Sequence, residues 1–358
     1  MRRGTTQVWR GWNRPCPDSF GEYNQAMRTL AFLAAIMATA FSSFADFTNS
    51  PENFSPHFSA NTEIFWKTQT NGLPKSFWIY KRLPSRPFSA SVISNAVVLA
   101  SLQDKGFPKP STNAFFIWSA PNPCGMGFSI FSIQPASTTI SFSSPNQNLS
   151  TDNIPDDETV TKRAFECAAR FGLDRTHLIP KNVYSASNAA GCDQILTNGN
   201  CARGIFLSRK LDGIGFYGDA NNGSDGFSIE FGSRGQIRSF SLVWPNLEHG
   251  QNSPTASPQQ IIACIRAQKI IVIPNADEDN YFQRVKSLAN AKTFTITKIT
   301  PYYGEGIFGE VPTNDVPPEF IIPFAELEAT AYFGNSNVTV RLLSPIIASE
   351  VNRLLKTK

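Results

Sequence analysis

A regular alternation of apolar and polar residues, interrupted by one glycine-containing turn, runs through residues 226–244. The apolar positions that share one side of an extended chain are Phe227, Ile229 and Phe231 in FSIEF, then Phe240, Leu242 and Trp244 in IRSFSLVW. Alternation with period two on both sides of the turn GSRGQ is typical of an antiparallel hairpin with one buried face. The preceding run, GIFLSRKLDGI, is also extended in character. The pattern therefore predicts antiparallel sheet for this part of the chain, with one face covered by another layer.

A helix is predicted immediately before these strands. The stretch IPDDETVTKRAFECAARFGLD opens with acidic residues, which suit a helix N-terminus, and Gly172 is placed to end the helix. Its apolar positions, Val160, Ala164, Cys167 (or Ala168) and Phe171, recur at helical spacing. The middle of the chain thus has the order helix, then three strands.

The same order occurs on both sides of this unit. Downstream, Ser257, Pro258 and Gln260 predict a capping box that opens a helix. Strand-like runs TFTITKITPYY, EFIIPFAELEATAYF and NVTVRLLSPII follow, and SEVNRLLKT is a terminal amphipathic piece. Upstream, SASVISNAVVLASLQDKG is helical in pattern and precedes NAFFIWSA, GFSIFSIQP and STTISFSS. TEIFWKTQ and KSFWIYKRL are interpreted as an extra hairpin through Asn71-Gly72.

These repeats predict an α+β protein of tandem modules, each with one helix packed on an antiparallel sheet. The expected divisions are a leader at 1–45, an N-terminal module at 46–150, a middle module at 151–250 and a C-terminal module at 251–358. SSPNQNLSTDNIP and NLEHGQNSPTASP are interpreted as linkers because they are rich in Pro, Ser and Asn. A sandwich of continuous sheets is the alternative fold.

A secretory leader is predicted near the start of the chain. MRTLAFLAAIMATAFSSFADF has a basic residue, Arg28, then an apolar run over 30–41 and small residues before Asp46. This is the pattern of a signal peptide at 27–45. Residues 1–26 are polar and aperiodic, so Met27 is the expected start, with an unusually long basic region as the alternative. We therefore expect a secreted, periplasmic or extracellular protein, with no membrane span after cleavage of the leader.

The charge distribution argues against a nucleic-acid partner. After residue 45 the basic and acidic residues nearly balance and form no basic run, which excludes an electrostatic footprint for nucleic acid.

Cys192 and Cys201, in GCDQILTNGNC, are the predicted disulfide, because the loop between them is short enough to join them. Cys167 and Cys264 lie on predicted helix faces and are expected to be buried thiols. No Cys/His cluster predicts a metal site, and no motif predicts a cofactor.

The hairpin region resembles a known repeat. The pattern Arg209-x-x-Asp212-Gly213-Ile214, then Gly226, then Gly235-x-Ile237-x-Ser239-Phe240-x-Leu242-x-Trp244 is similar to a PepSY-type repeat of secreted and cell-envelope proteins, including the two-component-regulator accessory type. The resemblance implies a PepSY/cystatin-like module with a helix on a sheet, located outside the cytoplasmic membrane. It also implies binding or peptidase inhibition, and it carries over no catalytic residue.

Enzymatic chemistry finds little support in the residue pattern. His57, His177 and His249 are dispersed, and no GxSxG follows the leader. A carbohydrate-active hydrolase using paired carboxylates is the alternative function, with Glu305, Glu310, Glu326 and Glu328 as its candidate acids. DANNGSDGFSIE is interpreted as a polar hairpin loop, with an oxygen-ligated calcium site at Asp219, Asn221, Asp225 and Glu230 as the alternative.

The sequence thus predicts an exported, non-enzymatic binding or regulatory protein, with no catalytic, cofactor or metal residues assigned. Its partner is expected to be an extracellular protein, peptide or polysaccharide. The binding surface is expected on the solvent faces of the sheets and in the grooves between modules, where Trp66, Trp78, Trp118 and Tyr302 supply aromatic side chains.

Overall fold

The computed structural model describes residues 58–69, 72–103, 107–110, 114–121, 128–144, 153–186, 202–217, 225–273, 287–304 and 319–356. These residues all belong to one structural unit, which extends from Asp46 to Lys358. The predicted leader and the Cys192–Cys201 pair lie outside the described residues.

Strands dominate the described residues. They are β1 Glu63–Trp66, β2 Ser76–Arg82, β3 Phe116–Pro121, β4 Phe128–Gln134, β5 Thr139–Ser143, β6 Leu178–Pro180, β7 Tyr184–Ala186, β8 Ala202–Leu211, β9 Ile214–Gly215, β10 Gly226–Phe231, β11 Ile237–Val243, β12 Leu247–Pro254, β13 Ile271–Ile273, β14 Thr293–Gly304, β15 Phe320–Tyr332 and β16 Asn337–Pro345. The period-two patterns identified in the sequence correspond to β8, β10, β11 and β14 to β16. The hairpin β10–β11 is confirmed, with Phe227 opposite Leu242 and Ile229 opposite Phe240.

The strands form two large sheets. A nine-stranded antiparallel sheet has the order β3-β4-β5-β11-β10-β8-β6, and β7 and β9 also pair with β8. A seven-stranded mixed sheet has the order β1-β14-β15-β16-β13, and β2 pairs with both β15 and β12. The pairing of β1 with β14 is parallel, whereas the other pairs of this sheet are antiparallel.

The described helices are α1 Ala90–Leu99, α2 Asp157–Arg170, α3 Pro258–Arg266 and α4 Ala348–Lys356. The predicted capping box of α3 is confirmed, because Ser257 and Gln260 bond each other's backbone N–H groups. Asp156 caps α2 through the backbone N–H of Thr159. None of the helices in the described ranges combines the length and apolar character needed to cross a bilayer.

Each sheet buries one face against two helices. The first core lies between the nine-stranded sheet and helices α1 and α2, with Phe131, Phe227 and Phe240 from strands and Ala96 and Ala164 from helices. The second core lies between the seven-stranded sheet and helices α3 and α4, and includes Phe294, Leu327 and Leu342 from strands and Ile261 and Val351 from helices. The amphipathic patterns of the sequence therefore correspond to the buried faces of these layers.

The predicted fold class of tandem α+β modules is wrong. Strand β5 pairs with β11, so that residues 128–144 and 226–243 form one continuous sheet. The strands of the expected third module are joined by β1, β2 and β12 in the second sheet. The fold is β-rich and sandwich-like, with two large sheets and four helices in the described residues. A separate three-stranded module would leave backbone N–H and C=O groups unpaired at its edges, and the β5–β11 pairing removes two such edges at once.

Two local predictions are also wrong. The segments around β1 and β2 do not form a hairpin with each other, since β1 pairs with β14 and β2 with β12 and β15. The polar segment expected to be a linker near residue 250 contains strand β12. Most of β12 is exposed to solvent, so its composition resembles that of a loop although its backbone is paired with β2.

The nine-stranded sheet is inserted within the chain of the seven-stranded sheet. The chain forms β1 and β2, then every strand of the larger sheet, and then returns to the smaller sheet at β12. The exit and the return are adjacent, because Leu83 N donates a 2.9 Å hydrogen bond to Asn246 O. A second link is the 2.9 Å hydrogen bond from Tyr217 N, just after β9, to Tyr303 O in β14.

Candidate functional site

A polar and aromatic cluster lies where the two sheets meet. It consists of Trp78 and Tyr80 on β2, His249 on β12 and Asp212 at the turn between β8 and β9, and is called the Trp78 cluster below. The Tyr80 hydroxyl lies 2.7 Å from Asp212 Oδ2 and 3.0 Å from His249 Nε2. The imidazole ring of His249 lies 4.8 Å from the ring of Trp78 and 4.9 Å from that of Tyr80, measured between centroids.

Three members of the Trp78 cluster face solvent. Trp78 is 37% exposed, and the side chains of His249 and Asp212 are 54% and 42% exposed. Tyr80 is buried behind them, and its ring packs edge-on against Tyr303, with 5.4 Å between centroids. The cluster therefore consists of three solvent-facing side chains that are supported by the buried rings of Tyr80 and Tyr303.

Local backbone geometry positions His249. Its strand partner is Tyr80, and the pairing of β12 with β2 shifts register between His249 and Asn252. Such a bulge redirects a side chain and bends the strand. Gly250 lies within it, and a Cβ at this position would be 2.9 Å from the carbonyl oxygen of Ile79. The bulge thus requires a residue without a side chain next to His249.

A tight turn positions Asp212. Strands β8 and β9 pair up to Leu211 opposite Ile214, which leaves Asp212 and Gly213 as a two-residue turn. Both have positive φ, 49° and 83°, as a type I′ hairpin turn requires. Asp tolerates this conformation better than most residues, and Gly adopts it freely. The turn of the nine-stranded sheet therefore places a carboxylate beside a strand of the other sheet.

The hydrogen bonds of Tyr80 fix the protonation pattern of the cluster. An ionised carboxylate only accepts hydrogen bonds, so the single hydroxyl proton of Tyr80 is donated to Asp212. The contact with His249 then has Nε2–H as the donor and the Tyr80 oxygen as the acceptor. In the neutral imidazole this leaves Nδ1 of His249 as an acceptor. Burial, followed by the hydrogen bond to Asp212, raises the pKa of Tyr80, so its hydroxyl stays protonated at neutral pH.

A buried ion pair lies behind the cluster. Arg209 Nη1 lies 3.5 Å from Asp225 Oδ2 and donates a 2.6 Å hydrogen bond to the carbonyl of Pro245. The Arg209 guanidinium also lies over the ring of Trp244, 4.5 Å from its centroid. Burial raises the pKa of Asp225 to about 6, although Arg209 and Arg82 oppose this rise. Three residues of the PepSY-type pattern lie near the junction of the two sheets: Arg209, Asp212 and Trp244.

The candidate acids of a hydrolase are engaged in ion pairs. Glu326 contacts Arg341 at 2.5 Å, and Glu328 contacts Lys298 at 2.5 Å, in both cases across neighbouring strands. Each carboxylate is thus held by its own cation, and nothing in their contacts gives them different roles as acid and base. Glu305 and Glu310 lie outside the described residues, so the hydrolase stays a prediction.

The other predicted aromatic residues are less available than Trp78. Trp66 and Trp118 are half-buried and pack against the two cores. Tyr302 is half-buried, with its ring 5.4 Å from that of Tyr217 and 5.5 Å from Lys181 Nζ. Of these four aromatic residues, Trp78 is the most exposed to solvent.

The structure separates the described residues of the alternative calcium site. Asp225 is buried beside Arg209, whereas Glu230 accepts hydrogen bonds from Ser239 and Tyr184. Asp219 and Asn221 lie outside the described residues. No group of three or more His, Cys, Asp or Glu side chains within the described ranges is arranged to hold a metal ion. Cys167 and Cys264 are free and buried, as predicted.

Sequence reasoning missed the Trp78 cluster because its members are far apart in the chain. His249 lies in the segment interpreted as a linker, NLEHGQNSPTASP, and Asp212 is singled out only by the PepSY-type pattern. The available signals were the Asp212-Gly213 dipeptide and the alternation of FWIYKR, which puts Trp78 and Tyr80 on one side. Neither signal identifies the strand that carries the histidine.

Comparison with known proteins leaves the family open. No family model matches the chain, and no curated protein matches it. Among solved structures, an uncharacterized protein from Eubacterium rectale ATCC 33656 is 10% identical, with 79% of this chain and 86% of that chain covered and a TM-score of 0.37. The Pseudomonas aeruginosa MucA/MucB complex is 9% identical, with 78% and 91% covered and a TM-score of 0.10. At these TM-scores neither likeness supports a fold or a function.

Proposed function

We propose that the protein is an exported, non-enzymatic binding protein whose ligand docks on the Trp78 cluster. The observation that supports this most is the exposed pair of Trp78 and His249, whose rings lie 4.8 Å apart beside the Asp212 carboxylate. Exposed aromatic side chains next to a few oriented polar groups are characteristic of recognition sites. Export rests on the predicted leader at 27–45, and the PepSY-type resemblance favours binding as well.

The contacts of His249 favour binding over catalysis. A histidine that activates a hydroxyl or thiol side chain for covalent catalysis needs a Ser, Thr or Cys within hydrogen-bonding distance. The hydrogen-bonding and ionic partners of His249 in the described residues are Tyr80 and Asp212. Tyr80 is a poor nucleophile here, since its pKa is raised and its proton is held by Asp212.

Capture experiments test the binding site. The chain from Asp46 onward is immobilised and exposed to the culture supernatant of its source. We expect a retained component whose amount falls at least tenfold with Trp78→Ala and stays unchanged with Phe65→Ala. Phe65 is the matched control, because it is an aromatic residue 43% exposed on β1 of the same sheet. Equal retention by the Trp78 variant would contradict the proposed site.

Export is tested separately by sequencing the N-terminus of the protein recovered outside the cytoplasm. We expect Asp46 as the first residue. A protein that stays in the cytoplasm with residues 27–45 attached would refute the proposed export.

A further inference from the structure

We infer that the Trp78 cluster recognises a neutral, polyhydroxylated ligand, a glycan, through ring stacking on Trp78 and hydroxyl donation to Asp212 and His249. The inference rests on the proposed binding function and specifies its ligand class. It depends on three properties of the site: its hydrogen-bonding character, its charge and the state of the strands that carry it.

The exposed polar groups of the cluster are acceptors. The Asp212 carboxylate accepts the proton of Tyr80 and remains 42% exposed, so it can accept further hydrogen bonds from solvent or ligand. His249 uses Nε2–H toward Tyr80, which leaves Nδ1 as an acceptor. A complementary ligand must therefore bring donors, and hydroxyl groups on a compact ring meet this requirement.

The indole of Trp78 supplies a flat apolar surface beside these acceptors. Hydrogens bound to the ring carbons of a sugar carry partial positive charge and are attracted to the negative face of an aromatic ring. The His249 ring contacts Trp78 on one side and lies 3.8 Å from Asp212 on the other, measured from Nε2 to Oδ1. A ligand lying over Trp78 and His249 therefore reaches the carboxylate without leaving the surface.

The charge of the site favours a neutral ligand over a cationic one. Asp212 contributes a negative charge, but the buried guanidinium of Arg209 is close enough to act on Tyr80 at the same site. The Asp225 carboxylate lies 3.5 Å from Arg209 and is also close to the guanidinium of Arg82. One carboxylate therefore neutralises only part of the positive charge of the two arginines. An ammonium group would thus gain less from Asp212 than from an isolated carboxylate.

The strands of the cluster disfavour an extended peptide. Such a peptide gains most of its affinity by pairing with the free edge of a strand. At Tyr80, β2 is already paired on both sides, with His249 of β12 and Ile321 of β15. The bulge after His249 interrupts the regular ladder of β12, and bulges oppose the addition of another strand.

Affinity electrophoresis of the chain from Asp46 onward tests the ligand class. Native gels contain dextran, laminarin, xylan, mannan or pullulan, and migration is compared with a gel without polysaccharide. We expect at least one polysaccharide to retard the wild-type protein. We expect Trp78→Ala to weaken this binding at least tenfold and Asp212→Asn severalfold, while Phe65→Ala leaves it unchanged. Because Asn also tolerates positive φ, Asp212→Asn removes charge with little strain at the turn.

Far-ultraviolet circular dichroism and thermal unfolding establish that each variant is folded. Trp78→Phe is a second variant that retains an aromatic ring, and we expect it to bind more tightly than Trp78→Ala. Equal migration of the wild-type protein in all gels would overturn the glycan inference. If the supernatant experiment then shows Trp78-dependent retention of a protein or peptide, the binding function stands without the glycan. If neither experiment depends on Trp78, both proposals fail.

Discussion

The hydroxyl of Tyr80 donates a 2.7 Å hydrogen bond to Oδ2 of Asp212, which lies 132 positions further along the chain and in the other sheet. The same oxygen accepts from His249 Nε2 at 3.0 Å. One buried hydroxyl therefore connects the turn of the nine-stranded sheet to two strands of the seven-stranded sheet. This one atom therefore orients the candidate binding site and adds a link between the two sheets to the backbone hydrogen bond from Tyr217 to Tyr303.

Tyr80→Phe removes this atom and retains the ring. We expect a loss of about 1–3 kcal/mol in the free energy of unfolding, because Asp212 loses a donor and His249 loses an acceptor. Urea denaturation followed by circular dichroism measures the loss. Tyr332→Phe is the control, since Tyr332 is 39% exposed and its hydroxyl donates to the carbonyl of Gly334, two residues away. Equal effects of the two substitutions would show that the Tyr80 hydroxyl has no special role.

The buried ion pair predicts a contrast between two arginines. Arg209→Ala leaves the carboxylate of Asp225 buried without its nearest cation, so we expect destabilisation of about 3–5 kcal/mol. Arg203→Ala breaks the pair with Asp157 on the surface, where we expect less than about 1 kcal/mol. Chemical denaturation at pH 7 compares them. A similar small loss in both variants would mean that the Asp225 site adapts to the missing charge.

The raised pKa of Asp225 predicts how stability changes with pH. The carboxyl titrates at about 6 in the folded protein, against an ordinary value of 3.8. The folded state thus binds the proton more tightly, and this group lowers stability as pH rises from about 4 to 6. Asp225→Asn removes this effect.

The free energy of unfolding of Asp225→Asn should therefore rise relative to wild type across the same pH interval, by roughly 2–3 kcal/mol at most. Denaturation at several pH values gives this difference, in which the contributions of other carboxyl groups cancel. A difference that is constant with pH, or that falls as pH rises, would contradict the assignment.

The two buried thiols are expected to resist modification in the folded state. Burial raises the pKa of Cys264 to about 11 and also raises that of Cys167, so the reactive thiolate is scarce at neutral pH. Labelling with iodoacetamide, followed by peptide mass spectrometry, should modify these cysteines only when denaturant is present. Rapid labelling of Cys264 at pH 7.5 without denaturant would show that helix α3 opens readily.

The elements of this fold were more predictable than their assembly. The helix at 157–170 and the hairpin from Gly226 to Val243 have strong periodic patterns, because burial of one face imposes a local period on the sequence. The pairing of β5 with β11 has no comparable sequence signal, since any exposed strand edge can pair with another. The expectation of separate modules failed at this step.

The polar strand β12 was unpredictable for a related reason. Its side chains are mostly exposed, so no alternation marks it, yet its backbone pairs with β2. His249 was therefore assigned to a linker. The Trp78 cluster requires knowledge of that pairing and of the turn at Asp212, which join residues from distant parts of the chain.

The insertion of one sheet within the other determines how the molecule would respond to mechanical load. The chain leaves the seven-stranded sheet at Leu83 and returns at Asn246, and a hydrogen bond joins these two positions. A force applied between residues 58 and 356 would therefore pass through the seven-stranded sheet and bypass the nine-stranded one. Under tension the seven-stranded sheet would unfold first, and the nine-stranded sheet would bear no load until that sheet had unfolded.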